Sequence, residues 1–485
     1  MPALSRTIVD SIMTSPNTRL EHDSLGTMEI PSEAYYGIQT RRAIENFPIT
    51  GIGISMFPHM IRALALLKKA SAHANMDLGI LDREIGEGIS RACDDLLNNK
   101  YHDQFPVDVY QGGAGTSTNM NANEVIANLA LEYMGHAKGE YAFCHPNDHV
   151  NLSQSTNDVY PTAIRLAMYT RLEDLTNAMA EVKNSFELKE VEFSDVIKMG
   201  RTQLQDAVPM TLGQEFGAYA VMIGEDIHRI HEARQLLREM NMGATAIGTG
   251  INSPPGYVDR VRHYINLFGQ LSFVTATNLV EATQDAGVFV QLSGVLKRYA
   301  VKLSKICNDL RLLSSGPRAG LHEINLPPMQ PGSSIMPGKV NPVIPEVVNQ
   351  ICFQVIGNDV TISMAAEAGQ LELNVMEPVI FFNLHRNIDL LTGGCRALAR
   401  RCVNGITANR DICRMYVERS IGLVTALVPV IGYDKASAVA KEALASGRGI
   451  TELVIERGLM TREQLDEMLK PENMIAPAFV TKELP

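Results

Sequence analysis

The stretch from Gly332 to Pro342, with the sequence GSSIMPGKVNP, combines residue types that bind an anion. Prolines at positions 331, 337 and 342 exclude a regular helix or a central strand, so the stretch is predicted to be a loop. Its backbone N–H groups, the Lys339 ammonium and the Asn341 amide can all direct their positive ends at one negative group. A surface turn that is stiffened by its prolines and binds no ligand is the alternative.

A second cluster of donors, Ser155-Thr156-Asn157, directly precedes a long stretch of helical periodicity. Hydroxyl and amide groups at a helix N-terminus form a ready site for a carboxylate. The segment from Gly200 to Pro209 has a similar composition, and we expect that it also opens a helix with small polar residues. These two segments are therefore further candidates for binding a negatively charged ligand.

Three other segments resemble ligand sites but lack essential parts. Gln111 to Asn121 resembles a phosphate loop without the following Lys or a preceding strand, so a helix entry capped by Ser or Thr is the alternative. His145 and His149 are four residues apart, but the intervening proline and Asn-Asp pair disfavour a common helical face, and no metal site is predicted. The glycines between 243 and 250 are interpreted as a tight structural turn near the site.

Composition excludes several classes of protein. The chain has 485 residues, of which 45% are hydrophobic and 20% charged, as in ordinary globular proteins. A net charge of −11 without any basic run argues against nucleic acid as the partner. No secretory signal and no membrane-spanning stretch are recognised. The seven cysteines are scattered and form no C-x-x-C pair, which predicts reduced thiols and a cytoplasmic location.

Long helices dominate the middle of the chain. Apolar residues recur at alternating steps of four and three, which predicts a helix of some thirty residues. They form one apolar stripe along it: Met168, Leu172, Leu175, Met179, Val182 and Phe186. A second such helix is predicted from Val288 to Leu313, and a third from Pro345 towards Met376. Several helices of this length, side by side, indicate an elongated bundle.

The opposite faces of these helices are also apolar or small, with Ala163, Ala167 and Ala178 on the first helix. A helix that is apolar on more than one side is normally buried on more than one side. We therefore predict association with copies of the same chain, and a large monomeric core is the alternative.

The remaining parts of the chain give weaker predictions. Residues 1–20 are interpreted as a loosely held extension and Thr27 to Pro31 as an extended element, and helices are predicted to begin near Pro58. A capping box at Thr461 and Gln464 marks a late helix.

The Gly332 to Pro342 loop and the four segments at 111–121, 145–158, 200–209 and 243–250 together resemble the fumarase/aspartase superfamily, and the likeness extends over nearly the whole chain. The resemblance implies a mainly α, three-domain fold: an N-terminal domain 1–150, a central long-helix bundle 151–403 and a small helical domain 404–485. It also implies a homotetramer in which the bundle is shared and each active site is built from several chains.

Within the superfamily, the run from Asn341 to Gln350 resembles the aspartate ammonia-lyase branch. The resemblance implies the reversible conversion of L-aspartate to fumarate and ammonia through a carboxylate dianion that is stabilised by donors already in place. A class II fumarate hydratase and a non-catalytic structural homologue are the alternatives.

The superfamily roles can be carried over by motif. They imply that Ser333 removes the C3 proton and that Lys339 and Asn341 bind the α-carboxylate. The residues implied to bind the β-carboxylate are Thr116, Ser155, Thr156 and Thr202. Asn157, with Gln203, is implied to orient the amino group. No organic cofactor and no metal ligand are implied.

Gln203 departs from the histidine that fumarases and some aspartases carry at this position. A glutamine cannot exchange a proton near neutral pH. Hydroxide needs a general acid to leave, whereas an ammonium group already carries its proton and departs as ammonia. The glutamine is therefore easier to reconcile with deamination than with dehydration.

Overall fold

The computed structural model describes residues 17–469, Asn473 and Ile475, and the predicted mainly α fold is confirmed. The helices α1 to α8 are Ile38–Asn46, Pro58–Asp77, Arg83–Leu97, Thr116–Tyr133, Thr156–Glu192, Leu212–Leu236, Tyr257–Gly269 and Leu279–Gln284. The helices α9 to α16 are Gly287–Leu313, Val343–Glu367, Glu377–Arg401, Arg410–Arg419, Leu423–Ile431, Tyr433–Ser446, Ile450–Glu456 and Arg462–Met468. The strands β1 to β8 form two-stranded pairs: Thr18–Asp23, Gly26–Pro31, Ile197–Thr202, Gln205–Thr211, Glu239–Met240, Val274–Thr275, Ile324–Asn325 and Thr407–Ala408.

The predicted long helices are present. Helix α5 has 37 residues, and all six residues of its predicted apolar stripe are fully buried. Ala163, Ala167 and Ala178 on its other faces are also buried. Helix α9, from Gly287 to Leu313, coincides with the second prediction.

The third long helix is shorter than predicted. Helix α10 ends at Glu367, and a separate helix, α11, begins at Glu377. The break is stabilised by Asn374, whose Nδ2 donates to the carbonyl oxygens of Ala365 (3.0 Å) and Ala366 (3.1 Å) in the last turn of α10. A side chain after the helix thus satisfies carbonyl groups that the helix itself leaves unpaired.

The chain divides into two compact units. Unit 1 comprises residues 1–174, 230–296 and 356–389, and unit 2 comprises residues 175–229, 297–355 and 390–485. Each of the five long helices, α5, α6, α9, α10 and α11, therefore contributes residues to both units. The division into three consecutive domains, 1–150, 151–403 and 404–485, stays a prediction.

Within unit 2 the long helices lie side by side as a bundle. The rings of Phe186 on α5 and Tyr219 on α6 are 5.5 Å apart, and the Tyr219 hydroxyl donates to Asp309 of α9 at 2.9 Å. Asn349 of α10 donates to the Ser304 carbonyl oxygen of α9 at 3.0 Å. These contacts join four of the helices through side chains in the bundle interior.

Within unit 1 the early helices pack around α2, which contacts α3 and α7. Helix α1 precedes Pro58, so the prediction that helices begin near Pro58 is wrong. The short helix is fixed by Glu124 of α4, a buried carboxylate that accepts from the backbone N–H groups of Gly37 (2.8 Å), Gln39 (2.8 Å) and Thr40 (3.1 Å). Burial raises the pKa of Glu124 to about 7. This long-range contact at the helix N-terminus leaves no local signal in the sequence.

Predictions for the ends of the chain are partly corrected. Residues 1–16 of the expected extension lie outside the described residues. Residues 18–23, however, form β1 of a hairpin with β2. Arg19 of β1 also donates to the carbonyl oxygens of Ala34 (2.7 Å) and Tyr36 (2.8 Å), which ties the hairpin to the following segment. The predicted capping box at Thr461 and Gln464 is confirmed.

All seven cysteines lie within the described residues as free, buried thiols. Burial raises the pKa of the Cys395 thiol to about 12, which keeps it protonated near neutral pH. Among the residues with described structure, no helix is both long and apolar enough to cross a membrane.

Candidate active site

In unit 1, the segment before α4 is a turn of left-handed backbone. Gly113, Ala114 and Gly115 have φ values of 85°, 55° and 88°, and Thr116 begins the helix. A Cβ atom at Gly115 would lie 2.4 Å from the Tyr160 ring, so the turn requires glycine there. This is the helix entry of the alternative interpretation, but the expected Ser or Thr cap is absent, because the N-cap residue is Gly115. The Thr116 side chain is exposed at the N-terminus of the helix, and its hydroxyl donates to the Gly113 carbonyl oxygen at 2.6 Å.

The predicted donor cluster lies at the N-terminus of α5. Ser155 caps the helix, since its Oγ accepts from the Asn157 backbone N–H at 3.2 Å. The Asn157 amide Nδ2 donates to the Ala246 carbonyl oxygen at 2.7 Å. That bond fixes the amide so that its oxygen stays available to accept from a ligand.

The turn between residues 243 and 250 is confirmed and lies next to this cluster. It is held by Asp158, whose buried carboxylate accepts from the backbone N–H groups of Gly243 (3.1 Å), Thr245 (2.9 Å) and Ser155 (3.0 Å). Burial raises the pKa of Asp158 to about 7 against the effect of these hydrogen bonds. One carboxylate thus joins the turn to the start of α5.

His145 and His149 both accept hydrogen bonds from backbone N–H groups. His145 Nδ1 accepts from the N–H groups of Asn147 and Asp148, both at 3.2 Å, and His149 Nδ1 accepts from the His145 N–H at 2.8 Å. The segment from Pro146 to Val150 forms one π-helical turn. In the described part of the chain, no group of three or more His, Cys, Asp or Glu residues is placed to hold a metal ion.

In unit 2, the segment 200–209 is a β-hairpin, so the prediction that it opens a helix is wrong. Strands β3 and β4 pair from Ile197 with Thr211 to Thr202 with Gln205. The two turn residues, Gln203 and Leu204, have φ values of 55° and 61°. Such a turn usually carries Asn-Gly or Asp-Gly, and without these residues the hairpin has no turn signal in the sequence. Thr202 and Gln203 are consequently exposed at the tip of the hairpin.

A buried ion cluster, consisting of Glu323, Lys198, Arg201 and Glu215, supports this hairpin. Glu323 is fully buried, and its carboxylate lies 2.7 Å from an Arg201 guanidinium nitrogen and 3.1 Å from Lys198 Nζ. Lys198 Nζ also lies 2.5 Å from Glu215 on α6. The cluster thus connects the hairpin that carries Thr202 to the segment before the Gly332 to Pro342 loop.

We expect that Glu323→Ala lowers the free energy of unfolding by about 3–5 kcal/mol, because it removes the counter-ion of Arg201 and leaves the buried Lys198 with Glu215 alone. The measurement is denaturant unfolding followed by circular dichroism. Glu181→Ala is the matched control, since Glu181 pairs with the exposed Arg400 at 2.9 Å. Its unfolding midpoint should hardly change. Equal effects of the two substitutions would contradict a structural role for the buried cluster.

The predicted loop is confirmed between Met329 and Pro342, where no helix or strand is formed. Ser333 Oγ accepts from the backbone N–H groups of Ile335 (3.2 Å) and Met336 (2.9 Å). The Gly332 N–H donates to the Lys339 carbonyl oxygen at 2.8 Å, and Asn341 Nδ2 donates to the Gly332 carbonyl oxygen at 2.6 Å. These bonds hold the two ends of the loop together.

The loop lines two open cavities within unit 2. A cavity of 470 Å³ is lined by Ser333 and Lys339, among other loop residues. A second cavity, of 790 Å³, is lined by Lys339 and Asn341 together with His322 and Asn325. The three candidate side chains of the loop thus line spaces that are large enough for a small organic acid.

The predicted residues thus fall into two sets, one in each unit. Unit 1 holds Thr116 and the Ser155 to Asn157 cluster, and unit 2 holds Thr202, Gln203 and the loop. The sequence reasoning missed the supporting groups Asp158 and Glu323. Nothing local in the sequence indicates that either carboxylate is buried.

Nearly the whole sequence is similar to that of known proteins. Residues 26–357 match the family described as Lyase, and residues 423–476 match the family described as Fumarase C C-terminus. An aspartate ammonia-lyase of Helicobacter pylori is 61% identical over 459 residues, which cover 95% of this chain and 98% of that protein. This chain belongs to the aspartate ammonia-lyase family.

Solved structures share the family's fold. The fumarate lyase:delta crystallin of Brucella melitensis, bound to cobalt, superimposes with a TM-score of 0.93 at 54% identity and covers 95% of this chain and 100% of its own. A class II fumarase of Schistosoma mansoni has a TM-score of 0.91 at 37% identity, over 94% of this chain and 99% of its own. The sequence is thus more similar to the aspartate ammonia-lyase than to this fumarase, although the fold is common to both.

Proposed function

We propose that this enzyme converts L-aspartate reversibly to fumarate and ammonia, and that Ser333 removes the proton from C3. The observation that carries the proposal is the position of Ser333 Oγ, which accepts two backbone N–H groups inside the loop that also carries Lys339. The family membership of the chain supports the reaction class.

An unassisted serine is far too weak a base for this step. Its oxyanion is stabilised by hydrogen bonds that favour the charged form and by a neighbouring cation, and exclusion of water strengthens both effects. The N–H groups of Ile335 and Met336 are such donors, and Lys339 is the cation of the same loop. The loop thus contains the elements that an activated serine needs.

The other site residues bind the two carboxylates. Lys339 and Asn341 bind the α-carboxylate, and Asn341 keeps one amide N–H for this purpose, since the other is bonded to the Gly332 carbonyl oxygen. The hydroxyl groups that stabilise the β-carboxylate as it becomes a dianion belong to Thr116, Ser155, Thr156 and Thr202. Preorganised donors of this kind supply a large part of the catalysis in such reactions.

Asn157 orients the amino group, assisted by Gln203. The Asn157 amide oxygen is free to accept from the substrate ammonium because the amide nitrogen is bonded to the Ala246 carbonyl oxygen. Gln203 cannot donate a proton to a leaving hydroxide, which favours loss of ammonia over loss of water.

The reverse reaction tests this function. We expect that the enzyme forms L-aspartate from fumarate when ammonium is present, and forms no malate from fumarate when ammonium is omitted. Proton nuclear magnetic resonance distinguishes the two products in one sample. Formation of malate would favour the fumarate hydratase alternative, and the absence of any product would favour a non-catalytic homologue.

We also propose that the enzyme is a homotetramer with composite active sites. On α10, the exposed side chains from Val347 to Met364 include no charged residue. Phe353 and Met364 on this face are 60% and 67% exposed. An uncharged helix face that exposes large apolar side chains marks an interface, and in a helix shared by both units the partner would be a second copy of the same bundle.

We further propose that the loop from Gly332 to Asn341 closes over the substrate. Ile335 and Val340 in the loop are 84% and 52% exposed, so closure would bury apolar surface and exclude water. Hydrogen exchange should show slower exchange of the loop amides when L-aspartate is bound. Succinamide, which lacks carboxylates, is the control ligand. Equal exchange with and without L-aspartate would contradict closure.

Finally, we propose that the reaction needs no organic cofactor and takes place in the cytoplasm. The proposed chemistry is supplied by hydroxyl, amide and ammonium groups of the chain itself. The buried free thiols suit a reducing compartment.

A further inference from the structure

A buried polar network lies beside the donor cluster of unit 1. Lys68 is fully buried, and its Nζ donates to Asn151 Oδ1 and to Gln154 Oε1, both at 2.9 Å. Lys68 Nζ donates in both bonds, and Asn151 Nδ2 donates to the Gln154 carbonyl oxygen at 3.2 Å, so the Asn151 amide oxygen faces the lysine. Burial lowers the pKa of Lys68 to about 7, but the neutral amine still has two N–H groups for these two acceptors. Lys68 therefore fixes the orientation of Asn151.

The orientation of Asn151 in turn fixes Asn119. Asn119 is almost fully buried, and its Nδ2 donates to Asn151 Oδ1 at 3.2 Å. The opposite orientation would place two carbonyl oxygens against each other. The Asn119 Oδ1 atom has no hydrogen-bond partner among the described residues, so no contact of this oxygen favours the opposite orientation of the amide. The amide nitrogen of Asn119 is thus directed towards α5.

The second N–H of Asn119 donates to Thr156 Oγ1 at 3.1 Å. A hydroxyl group has one proton and two acceptor lone pairs. Because one lone pair of Thr156 is occupied by Asn119, the hydroxyl proton is turned away from Asn119. Thr156 is the first residue of α5, half-buried between Ser155 and Asn157 in the donor cluster.

We infer that Asn119, oriented by Lys68 through Asn151, is a positioning residue that keeps the Thr156 hydroxyl proton directed at the β-carboxylate of the substrate. The inference rests on the proposed function, in which Thr156 binds this carboxylate. Without Asn119, the hydroxyl can rotate and present its lone pairs, which repel a carboxylate instead of binding it.

The chain offers a matched control in Asn123. It lies one turn further along α4, is fully buried, and its Nδ2 donates to the same Asn151 Oδ1 at 3.2 Å. Its other bond is to Met120 Sδ, at 3.3 Å, rather than to Thr156. Asn123→Ala therefore disturbs the network to a similar extent without releasing the Thr156 hydroxyl.

The test is a double-mutant cycle. Asn119→Ala and Asn123→Ala are each made alone and together with Thr156→Val, and the dissociation constant of fumarate is measured by calorimetry beside kcat/KM for L-aspartate. We expect that Asn119→Ala weakens fumarate binding about tenfold, the value of one ordinary hydrogen bond. In the Thr156→Val background, the same substitution should have almost no further effect. Asn123→Ala should have equal effects in both backgrounds.

Equal losses from Asn119→Ala in the two backgrounds would overturn the inference, because they would indicate a structural role. If Asn119→Ala does not fold, Asn119→Asp replaces it in the same cycle: its carboxylate accepts the Thr156 proton, so it should weaken fumarate binding more in the wild-type background than in the Thr156→Val background, whereas charge repulsion alone would act equally in both. A wild-type enzyme that binds fumarate but does not deaminate L-aspartate would refute the proposed function alone. A wild-type enzyme that binds no dicarboxylate would refute both.

Discussion

Replacing Ser333 by alanine is expected to lower kcat by several orders of magnitude, because proton abstraction from C3 loses its base. The N–H groups of Ile335 and Met336 would then have no oxyanion to stabilise. The overall fold and the oligomer size should stay as in the wild type, since the Ser333 side chain lies in a loop. The measurement is the rate of fumarate formation at saturating L-aspartate, with circular dichroism and light scattering on the same samples.

Ser334→Ala is the control for this prediction. Ser334 is the adjacent hydroxyl of the same loop and is exposed, and the superfamily resemblance assigns it no role. We expect that the kcat of the Ser334→Ala variant stays close to that of the wild type. If Ser333→Ala keeps more than about a tenth of the wild-type kcat, Ser333 is not the base.

The second large effect is the recovery of activity from two inactive variants. Ser155→Ala and Ser333→Ala alter residues that belong to different sets, one in unit 1 and one in unit 2. If different chains contribute the two sets to each site, then denaturing and refolding the variants together produces some sites with no substitution. For random mixing of equal amounts, about a quarter of the sites would be intact.

A mixture of Ser333→Ala with Lys339→Met is the negative control. Both substitutions lie in the same loop, which one chain supplies as a whole, so no mixed site can be intact. Activity that returns in the first mixture and not in the second would support composite sites. If both mixtures stay inactive, each site is built from a single chain and the composite-site proposal fails.

The long helices could be predicted because their signal is local and repeated. The α5 stripe from Met168 to Phe186 marks one buried face at every turn, and all its members are buried. Helix α1 and the hairpin at Gln203 could not be predicted in this way. The first depends on Glu124, more than eighty residues away, and the second on a turn that lacks the usual glycine or asparagine.

The same distinction holds at the candidate site. The loop around Ser333 was predicted because its prolines, glycines and donors lie within a dozen residues. Asn119 and Glu323 were missed because their roles depend on partners from distant parts of the chain, such as Thr156 and Lys198. A carboxylate or an amide does not reveal from the sequence whether it is buried, or which group it orients.

The most direct test of the account is the ultraviolet absorbance of fumarate formed by the purified enzyme from L-aspartate, with L-malate and argininosuccinate offered at the same concentration. We predict a steady rise in absorbance with L-aspartate, release of an equal amount of ammonia, and no comparable rise with the other two substrates. Fumarate formed from L-malate faster than from L-aspartate would contradict the account.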